Sequence, residues 1–382
     1  MIRKRARLWM LILLFGFFLF ENIEMVQAAQ IEDQVNDTND YSDIQKIIDD
    51  SVVSDHTFDF GEYVSNLIQN KDAFSVTNMF AGLKDGIMAE MKGNLSVLGR
   101  LIAIAIIAAI FTNFATVFMD NQVAETGFYI TYIVLFTIII TSFRTVSSLT
   151  ITTVDNVLTF VKMLVPTYFL AVTVSTGAAS SVIFYEFTLI VISLVNTILI
   201  RLVVPAIYVY LIILLADNLS KEDKLSKLAK TLGTGIKWVI RSLVVLVIGF
   251  NAIQSLIAPV ADGVKRSLFV KMGGAIPGVG NLLSGVTETV LGASLLLKNA
   301  IGVAGLIAII LICAMPIVKL IIYYFIYRIC ESVVQPISDK RIMKCIGACS
   351  EAVSMMLQVV IVSAILFIIS ITIVTVSTTM MY

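Results

Sequence analysis

From residue 98 onward the chain is a succession of long apolar runs separated by short polar intervals. Runs of that length exceed any ordinary strand, and about 20 apolar residues are enough for a helix to cross a bilayer. The pattern predicts an all-α integral membrane protein with about eight spans (seven to eight), over 101–119, 128–144, 157–175, 182–199, 202–217, 238–257, 301–327 and 353–378. The stretch 182–216 is too long for one crossing, about 50 Å as a single helix. Asn196, Arg201 and Pro205 near its middle predict a tight turn between two spans. Pro166 and Pro316 also fall inside apolar runs and are expected to kink or break their helices.

The first 28 residues read differently. Arg3, Lys4, Arg5 and Arg7 precede a short apolar core, Leu8 to Phe20, and Val26-Gln27-Ala28 is a small-residue cleavage pattern. Residues 1–28 are therefore expected to be a cleaved signal peptide, which places residues 29–99 outside the cytoplasm. From Gln30 to Gly99 there are thirteen acidic residues against four lysines, a net charge of −9. With scattered apolar pairs such as Ile47-Ile48, this region reads as short helices on a flexible acidic arm rather than a folded domain. His56, flanked by Asp55 and Asp59, reads as a solvated histidine, because a metal site needs several converging ligands.

Charge then sets the sidedness of the membrane domain, 100–382. With the arm outside, eight spans put 218–237 and 328–352 in the cytoplasm. The first carries Lys221, Lys224, Lys227, Lys230 and Lys237, the second Arg328, Lys340, Arg341 and Lys344, in keeping with the positive-inside rule. Treating 182–216 as one span would invert everything downstream, which favours the tight turn. Within 220–237, Ser220 and Asp223 have capping-box spacing, and Leu225, Leu228, Leu232 and Ile236 share a stripe opposite the lysines. This is expected to be an amphipathic helix on the inner membrane surface, either a linker or a docking surface for a cytoplasmic partner.

Composition narrows the function. Hydrophobic residues make up 58% and charged residues 14% of the 382 positions, with net charge zero. The mean hydropathy of +0.94 and the pI near 6.6 fit a membrane protein and leave no cationic surface for nucleic acid. One histidine in the whole chain excludes most catalytic and zinc constellations. No disulfide framework is implied by Cys313, Cys330, Cys345 and Cys349, and the last two, in CIGAC, lack the companion ligands of a metal site. There is no P-loop and no internal repeat, so no cofactor, no metal and no enzymatic activity is expected. Among charges near or inside spans, Glu186 and Lys319 are the least comfortable; as an intramembrane pair they would favour a secondary transporter of a small solute.

One segment is neither span nor ordinary loop. KMGGAIPGVGNLLSG, Lys271 to Gly285, puts five glycines and a proline into a nearly uncharged stretch, and Leu282 to Leu297 beyond it is apolar. Within the extracytoplasmic segment 258–300 this pattern predicts a re-entrant or interfacial hairpin whose backbone is shielded by protein.

The same region carries a resemblance. The order D-G-V-x-R at 262–266, G-x-x-I-P-G-x-G at 273–280 and A-S-L-L-L-K-N at 293–299 resembles the stage III sporulation protein AE family of endospore-forming bacteria. The layout of signal peptide, acidic arm and several spans resembles it too. The resemblance implies a noncatalytic multi-pass subunit of a channel or secretion-like complex in the mother-cell membrane around the forespore. Its implied partners are other membrane subunits and a secretion-type ATPase. Asp262, Arg266, Gly273, Pro277, Gly278, Gly280, Lys298 and Asn299 fall in the motif and are the structural or assembly positions it implies.

Overall fold

The computed structural model describes residues 41–51, 58–68, 121–176, 180–219, 224–273, 280–336 and 338–379, with a few positions between 88 and 110. Side chains in 174–186, 254–295 and 373–379 lie outside the description. Beyond Tyr41 and Ser42, all of these residues belong to one compact unit, Asp43–Tyr382. Two short helices come first, α1 (Ser42–Ser51) and α2 (Phe60–Ile68). The body consists of α3 (Asn121–Thr176), α4 (Ser180–Ile198), a π-helical turn (Leu199–Val203), α5 (Val204–Leu219), α6 (Ser226–Gly273), α7 (Gly280–Val334) and α8 (Lys340–Thr379). No strand occurs among the described residues.

Five helical runs are long and apolar enough to cross a membrane: Glu125–Thr173, Phe187–Leu219, Ser226–Ile253, Leu296–Val334 and Lys340–Thr372. The expected span 101–119 lies largely outside the described residues. The other seven collapse to five because two expected breaks are absent, each for a local reason.

The polar interval 145–156 does not interrupt α3. Thr137, Thr141, Thr150, Thr153 and Thr159 each donate their hydroxyl to the carbonyl four residues back, at 2.7 to 3.0 Å. A hydroxyl satisfied this way adds polarity without ending the helix. Pro166 sits inside α3 and Pro316 inside α7, and neither ends its helix.

The tight turn expected near Asn196, Arg201 and Pro205 is a widened helical turn instead. The π turn Leu199–Val203 ends just before Pro205, where the ring would otherwise crowd the carbonyl of Arg201. Asn196 is buried and accepts a hydrogen bond from Ser363 Oγ at 2.8 Å, so its polarity joins α4 to α8. Two lost breaks change the span count by an even number. The parity of every segment after residue 219 therefore stays as first read.

At the centre of the body, α8 packs on α3, α5, α6 and α7. Its buried face runs Cys345, Cys349, Ala352, Met356, Val359 and Val360, with small residues where neighbouring backbones approach. One end of the bundle is fixed by Tyr132 of α3, whose hydroxyl donates to the carbonyl of Leu215 in α5. There too, the Arg341 guanidinium of α8 lies 3.4 Å from the centre of the Phe128 ring. At the other end Phe160 of α3 meets Phe367 of α8 edge-on at 6.4 Å.

The acidic arm is more structured than its composition suggested. Gln45 ties α1 to α2 with two bonds of 2.8 Å, donating to the Phe58 carbonyl and accepting from the Phe60 amide. Asp59 caps α2 through the amide of Glu62 at 2.8 Å. Phe60 is fully buried and meets Phe160 edge-on at 6.5 Å, while α2 packs along α7. An apolar face of Ile44, Ile48, Phe60, Tyr63 and Val64 outweighs the charge on the opposite side. His56 lies outside the described residues.

In 226–237 the expected surface helix proves to be the first turns of α6, which continues without a break to Gly273. Leu225 and Leu228 are exposed, and the face turned to the protein is Ala229, Gly233, Ile236 and Ile240. Its start is secured by Asp217. Asp217 accepts from the Leu225 amide at 2.6 Å and the Ser226 hydroxyl at 2.9 Å; Ser220 and Asp223 lie outside the described residues. In 258–300, α6 runs to Gly273 and α7 starts at Gly280, and the expected hairpin centre at 274–279 is outside the described residues.

Candidate functional site

Four helices leave a polar crevice of about 560 Å³ at the end of the bundle marked by Tyr132 and Arg341. Its walls come from the last turns of α5 and α7 and the first turns of α6 and α8. The apolar stripe of each helix gives way there to charge: Asp217 in α5, Lys230 and Lys237 in α6, Arg328 and Glu331 in α7, Lys344 and Glu351 in α8.

The three carboxylates are engaged. Asp217 holds the start of α6. Glu331 receives Arg328 Nη1 at 3.1 Å. Glu351 accepts from the Tyr210 hydroxyl at 2.6 Å, a bond between helices 141 residues apart in sequence. Two glycines make these placements possible. A Cβ on Gly233 would come within 2.9 Å of the Tyr210 ring, and one on Gly347 within 2.7 Å of Glu331 Oε1.

With its acids engaged, the crevice presents cations at its mouth, where Lys230 and Lys237 are exposed. Among the described residues no group of three or more His, Cys, Asp or Glu could hold a metal. Cys345 and Cys349 are both buried, and Cys349 Sγ donates to the Cys345 carbonyl at 3.6 Å. The exposed lysines suit the recess to receiving an anionic or acidic group.

The residues singled out from sequence lie elsewhere. Asp262 and Arg266 are in α6, Gly273 ends it and Gly280 begins α7, while Pro277 and Gly278 are outside the described residues. Lys298 is completely buried in α7. Beside it, Asn299 encloses a carbonyl oxygen, Oδ1, that has no hydrogen-bond partner.

Backbone positions 186 and 319 do not share a level, and the side chain of Glu186 lies outside the described residues. Tyr208 and Tyr327 both meet α3 at residues 142–143, the first by ring contact with Phe143 and the second by a hydrogen bond to Ser142. Glu186 is 22 residues from Tyr208 and Lys319 only 8 from Tyr327, an offset of about 20 Å along the bundle.

Sequence reasoning found the lysines of the crevice but not its acids, Tyr210 or the two glycines. Asp217-Asn218 closing an apolar run was the available signal. Nothing local connects Tyr210 with Glu351 or Gly347 with Glu331, because those meetings are made by packing.

Comparison with known proteins accords with the motif read at 262–299. No solved structure matches the chain. A curated relative, stage III sporulation protein AE of Bacillus subtilis (strain 168), is 25% identical over 308 residues, covering 80% of this chain and 77% of the relative. Residues 58–378 match the stage III sporulation protein AE family, a span that takes in α2 and every helix of the bundle, and the chain belongs to that family.

Proposed function

We propose that this protein is a noncatalytic membrane subunit of a channel or secretion-like complex that links mother cell and forespore and is needed for forespore development after engulfment. Family membership over 58–378 is the observation that carries the reading. In this reading the protein sits in the mother-cell membrane with other membrane subunits and a secretion-type ATPase. The positive-inside rule puts the crevice end, with Lys230, Lys237 and Lys344, in the cytoplasm, and α1 and α2 outside. The cation-rimmed crevice would then receive an acidic segment of a cytoplasmic partner. The alternative, a secondary transporter of a small solute, is less favoured, because backbone positions 186 and 319 are offset by about 20 Å along the bundle.

The test is a deletion strain complemented with the wild type or with a Lys230→Glu/Lys237→Glu variant. Deletion should leave engulfed forespores that fail to mature, and the charge-reversed chain should reach the membrane at normal levels yet lose its cytoplasmic partner on co-purification. Normal spore yield in the deletion strain would sink the proposal. Sidedness has its own check. In intact cells an impermeant thiol reagent should label Asp40→Cys and spare Lys230→Cys, and labelling of the latter would invert the topology.

A further inference from the structure

Along α3, every exposed position from Thr137 to Lys162 is polar. Three of them, Arg144, Asp155 and Lys162, carry charge. Apart from the adjacent pair Arg144 and Thr145, the exposed positions recur at intervals of three and four residues, so they form one continuous stripe on one face. From Thr137 to Lys162 the stripe rises about 37 Å, at least the thickness of a bilayer's hydrocarbon core.

Its depth can be read from contacts across the bundle. At the lower levels, Phe143 meets Tyr208 and Ser142 bonds Tyr327, and beside those partners Val209 and Phe325 are exposed. At the upper levels, Phe160 meets Phe367 and Leu164 fills the space facing Gly305, with Ile365 and Val303 exposed nearby. The other helices therefore turn apolar side chains outward at the levels where α3 turns polar ones outward. The stripe lies at membrane depth, not beyond it.

Threonine hydroxyls can face lipid because they bond their own helix, as Thr137, Thr141 and Thr159 do here. Arg144, Asp155 and Lys162 cannot. Among the described residues none has a side-chain partner, and charges at this depth face a cavity or another protein, not lipid. The apolar run 101–119 offers no charged residue to meet them. A second copy supplies a polar wall of the same length at the same depth, as rotational symmetry requires. Parallel copies bring each charge level with its own counterpart, Arg144 with Arg144 and Asp155 with Asp155. A dry contact would desolvate like charges, and only a hydrated one tolerates them.

We infer that copies of this chain assemble about an axis normal to the membrane with their α3 stripes facing one another across water, forming a path for hydrated polar solutes. This goes beyond the sporulation reading and does not depend on it.

The test is single-cysteine substitution in the full-length chain, in native membranes at native expression. Thr141→Cys, Thr145→Cys, Ser148→Cys and Thr152→Cys probe the stripe, and Leu202→Cys, Val245→Cys and Ile310→Cys probe the apolar faces. All seven positions are exposed, and the four native cysteines are buried and should stay silent. A charged methanethiosulfonate reacts with the hydrated thiolate, so stripe positions should be modified at least about tenfold faster than the controls. A bifunctional thiol linker should join two copies through the same stripe position. Protection of the stripe equal to that of the controls overturns the water-filled path. Rapid labelling without cross-linking of copies at any stripe position overturns the second copy as its other wall.

Discussion

Replacing Phe60 by alanine should release the two short helices from the bundle and leave the bundle intact. The ring is fully buried, with Phe160 edge-on at 6.5 Å. A buried phenylalanine removes about 150–250 Å² from water, which at about 25 cal/mol per Å² corresponds to about 4–6 kcal/mol. An extended-chain reference overstates that burial, and measured Phe→Ala losses are about 3–5 kcal/mol, so about 3 kcal/mol is a conservative figure. Beyond Phe60, the buried side chains of the nine-residue α2 among the described residues are Tyr63 and Val64, joined by the Gln45 bridge. The loss thus rivals the whole local stability of α1 and α2, whereas α8 keeps its packing on α3, α5, α6 and α7. Hydrogen–deuterium exchange in nanodiscs is the assay. Protection across 42–51 and 60–68 should fall by about a hundredfold, with 340–372 unchanged. A double-mutant cycle with Phe160→Ala should return about 0.5–1.5 kcal/mol of coupling. Unchanged exchange in α1 and α2, or equal loosening of α8, would refute the docking role assigned to Phe60.

Two further outcomes follow from buried contacts and can be read as thermal midpoints in detergent. Ser363→Ala strips Asn196 of its donor and should destabilise by about 1 kcal/mol, near the middle of the range for polar contacts in membrane proteins, and adding Asn196→Leu should recover part of the loss; no recovery would mean the pair is not coupled. Gly233→Val and Gly347→Val should each cost about 1–3 kcal/mol, because the added atoms meet Tyr210 and Glu331, whereas Gly235→Ala, with nothing within 4 Å, should be neutral or gain up to about 1 kcal/mol. Equal effects at 233 and 235 would remove the steric account of the crevice.

The membrane-protein class was legible in the sequence, because long apolar runs have no other economical reading. The amphipathic face of the arm was not, since thirteen acids mask an apolar side of five residues that appears only when Ile44, Ile48, Phe60, Tyr63 and Val64 are wound onto helices. The motif at 262–299 identified the family. Yet Asp262, Arg266, Gly273 and Gly280 are not in the crevice, whose makers are scattered from Tyr210 to Glu351. A contiguous motif can be read from a string. A recess formed by four helix ends requires knowing which ends meet, and that is set by packing across more than a hundred residues.

The span count failed where hydropathy was taken as evidence of helix breaks. Hydropathy measures the cost of removing a side chain from water, and says nothing about whether the backbone turns. In 145–156 the polar side chains include threonines that bond the carbonyls behind them, which keeps α3 helical while its polarity falls to that of a loop. Near Pro205 the helix absorbs the ring with one wide turn, and Asn196 points into the bundle instead of out of it. Each misreading adds one crossing, and two added crossings restore the original side. That is why the lysine-rich segments fall on the same side under both counts, although the path between them differs. The positive-inside rule constrains only the parity of crossings between two loops, so agreement with it supports the sidedness and cannot by itself support the count. Contacts at a shared level can: Tyr208 and Tyr327 against residues 142–143 fix α5 and α7 beside a single uninterrupted α3.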